Sequence, residues 1–136
     1  MVQVVHPEHQ QQQRILIVED ETDILALMTF VLERAGHDVV CVTAVAEARA
    51  AISLYDFDAA LVDLCLPDGR GDEVVGILRA ESPDTYIVVT SAFTHSSLVP
   101  DYATEAGDTF LAKPFNTAAL VAAVTNRSLI ANARSV

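Results

Sequence analysis

The feature that most constrains this chain is a repeated change of hydrophobic period, in which short apolar runs rich in β-branched residues alternate with segments of helical spacing. Ile15 to Val18 is a continuous apolar run. Ile24, Leu25, Leu27, Met28, Val31 and Leu32 then recur every three or four positions and stop at Gly36, a residue type that commonly ends helices. Val39 to Val42 and the Ala-rich Val45 to Leu54 repeat the pair. Ala59 to Val62 leads into a loop with Pro67, Gly69 and Gly71, and Val74, Val75, Ile77 and Leu78 mark a third helix. Tyr86 to Val89, Phe110 to Leu111, and Leu120 to Val124 complete the order. Short strands separated by helices predict parallel pairing through right-handed crossovers, with helices on both faces of the sheet. The expected architecture is α/β, a doubly wound (βα)5 three-layer sandwich.

Composition narrows the setting. The 136 residues suit one domain with a real core, so no second catalytic or output domain is expected. No apolar stretch approaches the ~20 residues needed to span a bilayer, and Met1 to Arg14 lacks the apolar core of a secretory signal. A cytoplasmic location without membrane contact is expected. The formal charge of −11, from 19 acidic and 8 basic residues, would repel a phosphate backbone, so direct nucleic-acid binding is not expected. Cys41 and Cys65 have no metal-ligand spacing and fall within apolar runs, which predicts buried thiols in a reducing compartment.

In a doubly wound sheet, functional groups collect in the loops at the C-terminal ends of the strands. Four polar elements occupy such places: Glu19 and Asp20 after the first strand, Asp63 after the third, Ser91 after the fourth and Lys113 after the fifth. One acid after a strand is ordinarily a helix cap or a solvated turn. Convergence of all four with complementary charge is less easily accidental. Three neighbouring carboxylates repel one another unless a cation neutralises them. Oxygen ligands without Cys or paired His favour Mg2+, or Mn2+ in its place, and Lys113 adds a flexible positive charge suited to a phosphoryl oxygen.

Val18-Glu19-Asp20-Glu21, Leu61-Val62-Asp63-Leu64 with Leu66-Pro67-Asp68-Gly69, Ser91-Ala92 and Lys113-Pro114-Phe115 resemble the signature set of response-regulator receiver domains of two-component signalling. The resemblance covers residues 14–130, leaving 1–13 as a disordered N-terminal tail and 131–136 as a C-terminal tail. It implies the CheY-like, flavodoxin-like strand order 2-1-3-4-5. Asp63 would be the phosphoacceptor, with Asp20, Asp63 and the backbone carbonyl of Cys65 holding the metal and Glu19 acting through a water. Lys113 would offset charge on the phosphoryl group. Ser91 would be the switch hydroxyl in preference to Thr90, and Phe110 the switch aromatic. The Lys113–Pro114 bond would be cis.

The implied partners are a sensor histidine kinase or histidine phosphotransfer protein as donor and a downstream protein target, with a homodimer left open. The chain would catalyse only its own phosphorylation and dephosphorylation. Two rivals are a haloacid-dehalogenase-like hydrolase, which would need an acid where Cys65 stands, and a pseudo-receiver that binds protein without phosphorylation. Pro100 falls where the fourth helix is expected, so that helix should start late, with Thr94 to Leu98 a loop. His95 reads as a solvated loop residue, and Cys65 and Phe93 as shields against water at the phosphoryl group.

Overall fold

The computed structural model describes residues 12–91 and 107–134, with side chains in the last helix described as far as Thr125. The stretch that contains Phe93, His95 and Pro100 lies outside the described residues. The main sheet has five parallel strands: β1 (Arg14–Val18), β2 (Asp38–Val42), β3 (Ala59–Asp63), β4 (Tyr86–Ser91) and β5 (Thr109–Ala112). Their order is β2-β1-β3-β4-β5, as expected. Four helices are described, α1 (Thr22–Arg34), α2 (Val45–Leu54), α3 (Gly71–Glu81) and α4 (Thr117–Arg134).

Alternation along the strands divides the core in two. Leu16, Val18, Ala60, Val62, Ile87 and Val89 face α2 and α3, where they meet Ala48, Ile52, Val74 and Leu78. Ile15, Ile17, Ala59, Leu61 and Val88 face α1 and α4, against Met28, Leu32, Leu120 and Val124. β3, central and covered on both faces, is buried at every position, which is why it reads as an unbroken apolar run ending in Asp63.

Helix ends follow local chemistry. Gly36 has φ 97, a left-handed conformation that suits glycine after a helix. Asn116 caps α4, its side-chain oxygen accepting from the Ala119 N–H at 2.8 Å. Ala44 has no side chain able to cap α2. Instead Asp68, from the loop after β3, accepts from the N–H groups of Val45 and Ala46 at 2.7 and 3.1 Å. Those bonds hold the Asp68 carboxyl below its ordinary range.

Several expectations change. Cys41 and Cys65 are exposed thiols, not buried ones. β2 is an edge strand, so one of its faces is less covered, and Cys65 leaves the main sheet to form a short antiparallel ladder, Cys65–Leu66 with Gly69–Arg70. Gln13, assigned above to the tail, is buried. Its backbone N–H donates to His37 Nδ1 at 3.1 Å and its side-chain amide donates to the Val124 carbonyl at 3.3 Å. Burial holds the His37 imidazole below its ordinary pKa despite the opposing charge of Asp58. At the other end α4 runs to Arg134, into the segment assigned to the C-terminal tail.

Gly71, the first residue of α3, packs directly on the end of β3. A Cβ there would lie 2.1 Å from the Asp63 carbonyl oxygen and 2.8 Å from Leu64 Cα, both backbone atoms that cannot swing aside. Gly71→Ala is therefore expected to destabilise the fold by on the order of 3 kcal/mol, the upper end of ordinary overpacking. Urea unfolding checks this, and a midpoint equal to that of wild type would refute the close contact.

Candidate functional site

Glu19, Asp63 and Lys113 converge because each follows, by two residues, a side chain on the α1/α4 face of a strand. Those side chains are Ile17, Leu61 and Leu111. With a period of two, the next inward position on each strand lands at the C-terminal edge of the same face. There the apolar core ends and the charges meet. Glu19 is fully buried, Asp63 is 4% exposed and Lys113 is 7% exposed.

Lys113 is the hub of the cluster. Its Nζ lies 2.7 Å from Glu19 Oε1, 2.9 Å from Asp63 Oδ2 and 3.4 Å from Glu21 Oε1. The other Asp63 oxygen accepts from the Cys65 N–H at 3.0 Å, and Glu19 Oε2 accepts from the Glu21 N–H at 3.1 Å. The Lys113 backbone is also fixed, its N–H donating to the Ser91 carbonyl at 2.7 Å. The Lys113–Pro114 peptide bond is cis.

Burial pushes the Glu19 carboxyl from 4.5 up to about 7, against the pull of Lys113 and of the Glu21 N–H, with the charge of Asp63 adding to the rise. Burial alone would lower the Lys113 ammonium. The adjacent carboxylates of Glu19 and Asp63 outweigh that and hold it above its ordinary range. One cation serves two buried carboxylates, so negative charge is left over.

Carboxylate oxygens of Glu19, Asp20 and Asp63 all lie within 4.8 Å of one another, with Asp20 the exposed member. Glu19 Oε1 is buried and, although close to Lys113, takes no well-directed hydrogen bond. An all-oxygen donor set with surplus charge and an unsatisfied buried oxygen fits a hard divalent cation.

Ser91 and Thr90 are separated by the sheet. Thr90 is paired in register with Asp63 and follows Val88 on the α1/α4 face. Ser91 follows Val89 on the opposite face, the one on which half-buried Phe110 packs. Both hydroxyl residues are buried. Alternation thus puts Thr90 on the same face as Asp63 and Ser91 on the same face as Phe110. Glu21 and Gly71 were given no role at the site from sequence. Glu21 could have been suspected from its place in the acidic run after β1, whereas the contact of Gly71 with Asp63 depends on how α3 packs.

Fold and site together define a flavodoxin-like α/β domain with an acidic cleft at the C-terminal edge of its sheet. The sequence profile of the response regulator receiver domain matches residues 15–125, and the chain belongs to that family. The DNA-binding response regulator MtrA of Mycolicibacterium paratuberculosis is 32% identical over 115 residues, covering 85% of this chain and 51% of MtrA. The swarming motility regulation protein RssB of Serratia marcescens is 36% identical over 111 residues, 81% of this chain and 50% of RssB. This chain thus spans about half the length of the curated relatives it matches.

Among solved structures, a CheY-like receiver domain from Methanospirillum hungatei superposes with TM-score 0.78 at 27% identity, covering 92% of this chain and 99% of that one. The response regulator TrrA of Thermotoga maritima, solved in complex with Mg2+ and BeF, gives 0.75 at 28% identity, covering 85% and 98%. The receiver domain of a Pseudomonas aeruginosa sensor histidine kinase, with magnesium coordinated in its active-site cleft, gives 0.74 at 28%, covering 85% and 96%. Among the described residues no helix is long and apolar enough to cross a membrane.

The raised pKa of Glu19 has a stability consequence. Between 4.5 and about 7 the folded chain keeps a proton on Glu19 that the unfolded chain has released. This group therefore favours folding below 4.5, and that contribution is lost as the pH rises through about 7. Glu19→Gln stays neutral throughout. Its unfolding free energy relative to wild type, measured in urea with a chelator present, should increase as the pH is raised across that window. A constant difference would contradict the assignment.

Proposed function

We propose that this chain accepts a phosphoryl group on Asp63, in a step assisted by a divalent metal, and alters a protein-binding surface in consequence. The observation that carries this reading is the setting of the Asp63 carboxylate, nearly buried, 2.9 Å from Lys113 Nζ and clustered with Glu19 and Asp20. The donor is a phosphohistidine of a sensor histidine kinase or histidine phosphotransfer protein, or a small phosphodonor. The recipient of the signal is a downstream protein target, and a second copy of the chain is one form that target could take. The DNA binding named for MtrA is a property of that longer protein.

In the transfer, an Asp63 carboxylate oxygen forms a bond to phosphorus as the phosphorus–nitrogen bond of the phosphohistidine breaks. The imidazole nitrogen leaves with the electron pair. Asp20, Asp63 and the Cys65 carbonyl would hold Mg2+ or Mn2+, with Glu19 acting through a water. The metal supplies positive charge against the phosphoryl oxygens. Lys113 stabilises charge on the same group, and its short contacts to Glu19 and Asp63 keep it positioned before the donor arrives. The chain catalyses only its own phosphorylation and dephosphorylation, and acts in the cytoplasm.

Ser91 supplies the switch hydroxyl. Its place on the face of Phe110 supports this, because a Ser91 side chain drawn over the sheet edge toward Asp63 leaves space on the side where Phe110 packs. Mass spectrometry after incubation with acetyl phosphate and Mg2+ tests the whole reading. Wild type should gain about 80 Da, one phosphoryl group on a positioned nucleophile, and Asp63→Asn should gain nothing. Ser91→Ala should keep the adduct but lose any accompanying change in a fluorinated Phe110 signal. No adduct on wild type from any donor would favour a protein-binding module that is not phosphorylated.

A further inference from the structure

We propose that Glu21 is a positioning residue that holds Lys113 in reserve and is displaced by the incoming phosphoryl group. The proposal rests on the reading of Asp63 as phosphoacceptor. A lysine ammonium has three N–H donors and no acceptor. Around Lys113 three carboxylates compete for them: Glu19 at 2.7 Å, Asp63 at 2.9 Å and Glu21 at 3.4 Å. A phosphoryl oxygen that needs Lys113 must therefore enter a shell of three carboxylates already in contact with the ammonium.

The three partners are not equally replaceable. Glu19 and Asp63 are buried, so moving either away from the ammonium strands a charge in the protein interior. The Glu21 side chain is 59% exposed and makes the longest of the three contacts. Water can solvate it once it lets go. Its backbone stays in place meanwhile, because the Glu21 N–H is bound to Glu19 Oε2. Only the side chain has to swing.

Glu21 thus occupies the Lys113 direction that solvent can reach, and its negative charge also opposes an approaching phosphate dianion. Releasing it favours phosphorylation twice over, by freeing a donor and by removing repulsion. The ordinary alternative is that Glu21 is one more acid on an acidic surface. Asp23 provides the control for that case, since it is an exposed acid in the first turn of α1 and is not among the ionic partners of Lys113.

Lys113 is the only lysine in the chain, so a sample grown with 15N-lysine reports a single side-chain ammonium. In the metal-free protein Glu21→Gln should shift that signal and Asp23→Asn should leave it where it is in wild type. With acetyl phosphate and Mg2+, Glu21→Gln should form the Asp63 adduct roughly two- to fivefold faster, the rate equivalent of losing one exposed ion pair. The gain should persist at high salt, where long-range repulsion is screened. Equal rates for Glu21→Gln and Asp23→Asn, or a faster Glu21→Gln with an unshifted Lys113 signal, would overturn the proposal while leaving Asp63 as phosphoacceptor. Failure of wild type to form any adduct would overturn both.

Discussion

Two buried carboxylates against one buried ammonium is the constraint on which the rest of this structure depends. Glu19 and Asp63 cannot both sit charged at the edge of an apolar core without a cation, and Lys113 is the cation the chain provides. To do so it must arrive from β5, the far edge of the sheet, while Glu19 comes from β1 and Asp63 from β3. The parallel order and the strand register are therefore conditions of the site. A slip of one residue in any of the three strands would turn its charged group to the opposite face. Even with Lys113 in place, burial raises the Glu19 pKa, and the charge of Asp63 adds to the rise.

The loop after β3 carries a second set of constraints. Asp63 is held through the Cys65 N–H on one oxygen and Lys113 on the other. Gly71 returns the chain so closely over Asp63 that no side chain fits between them. At the tip of the same loop Asp68 serves the first N–H groups of α2, which Ala44 cannot serve. A short loop is thus pinned at Asp63, at α3 and at α2. Displacement of Asp63 upon modification would be felt in both helices of that face, and the α2 connection runs through hydrogen bonds to one exposed carboxylate.

Sequence reading reached the elements and the site through different signals. The strands and helices were legible because their periods differ, and the strand order followed from a family resemblance carried by a few polar residues. Glu19, Asp20, Asp63 and Lys113 were legible because each stands immediately after an apolar run, where a soluble domain has its polar ends. Cys41 misled because an apolar neighbourhood in sequence does not tell an edge strand from a central one, and Cys65 because the apolar run continues past the end of β3 into a short exposed ladder. Gln13 misled for the opposite reason. A glutamine at the end of a polar run looks solvated, and its burial depends on His37 and Val124, both distant in the chain.

Thr90 and Ser91 show most directly what register adds. From sequence, alternation says only that the two hydroxyls point apart. The pairing of Thr90 with Asp63 and of Val89 with Phe110 assigns each to a face. The hydroxyl on the face of Asp63 is then not the one on the face of the aromatic. A residue that is to link a charge change at Asp63 with packing of Phe110 has to cross from one side of the sheet to the other, and that crossing is open only at the strand end, where Ser91 stands. Thr90 is enclosed one residue earlier, with its carbonyl bound to the Leu64 N–H. On the proposed reading, the position of Ser91 at the strand end, rather than its distance along the sheet from Asp63, is what would suit it to carry a signal between two faces.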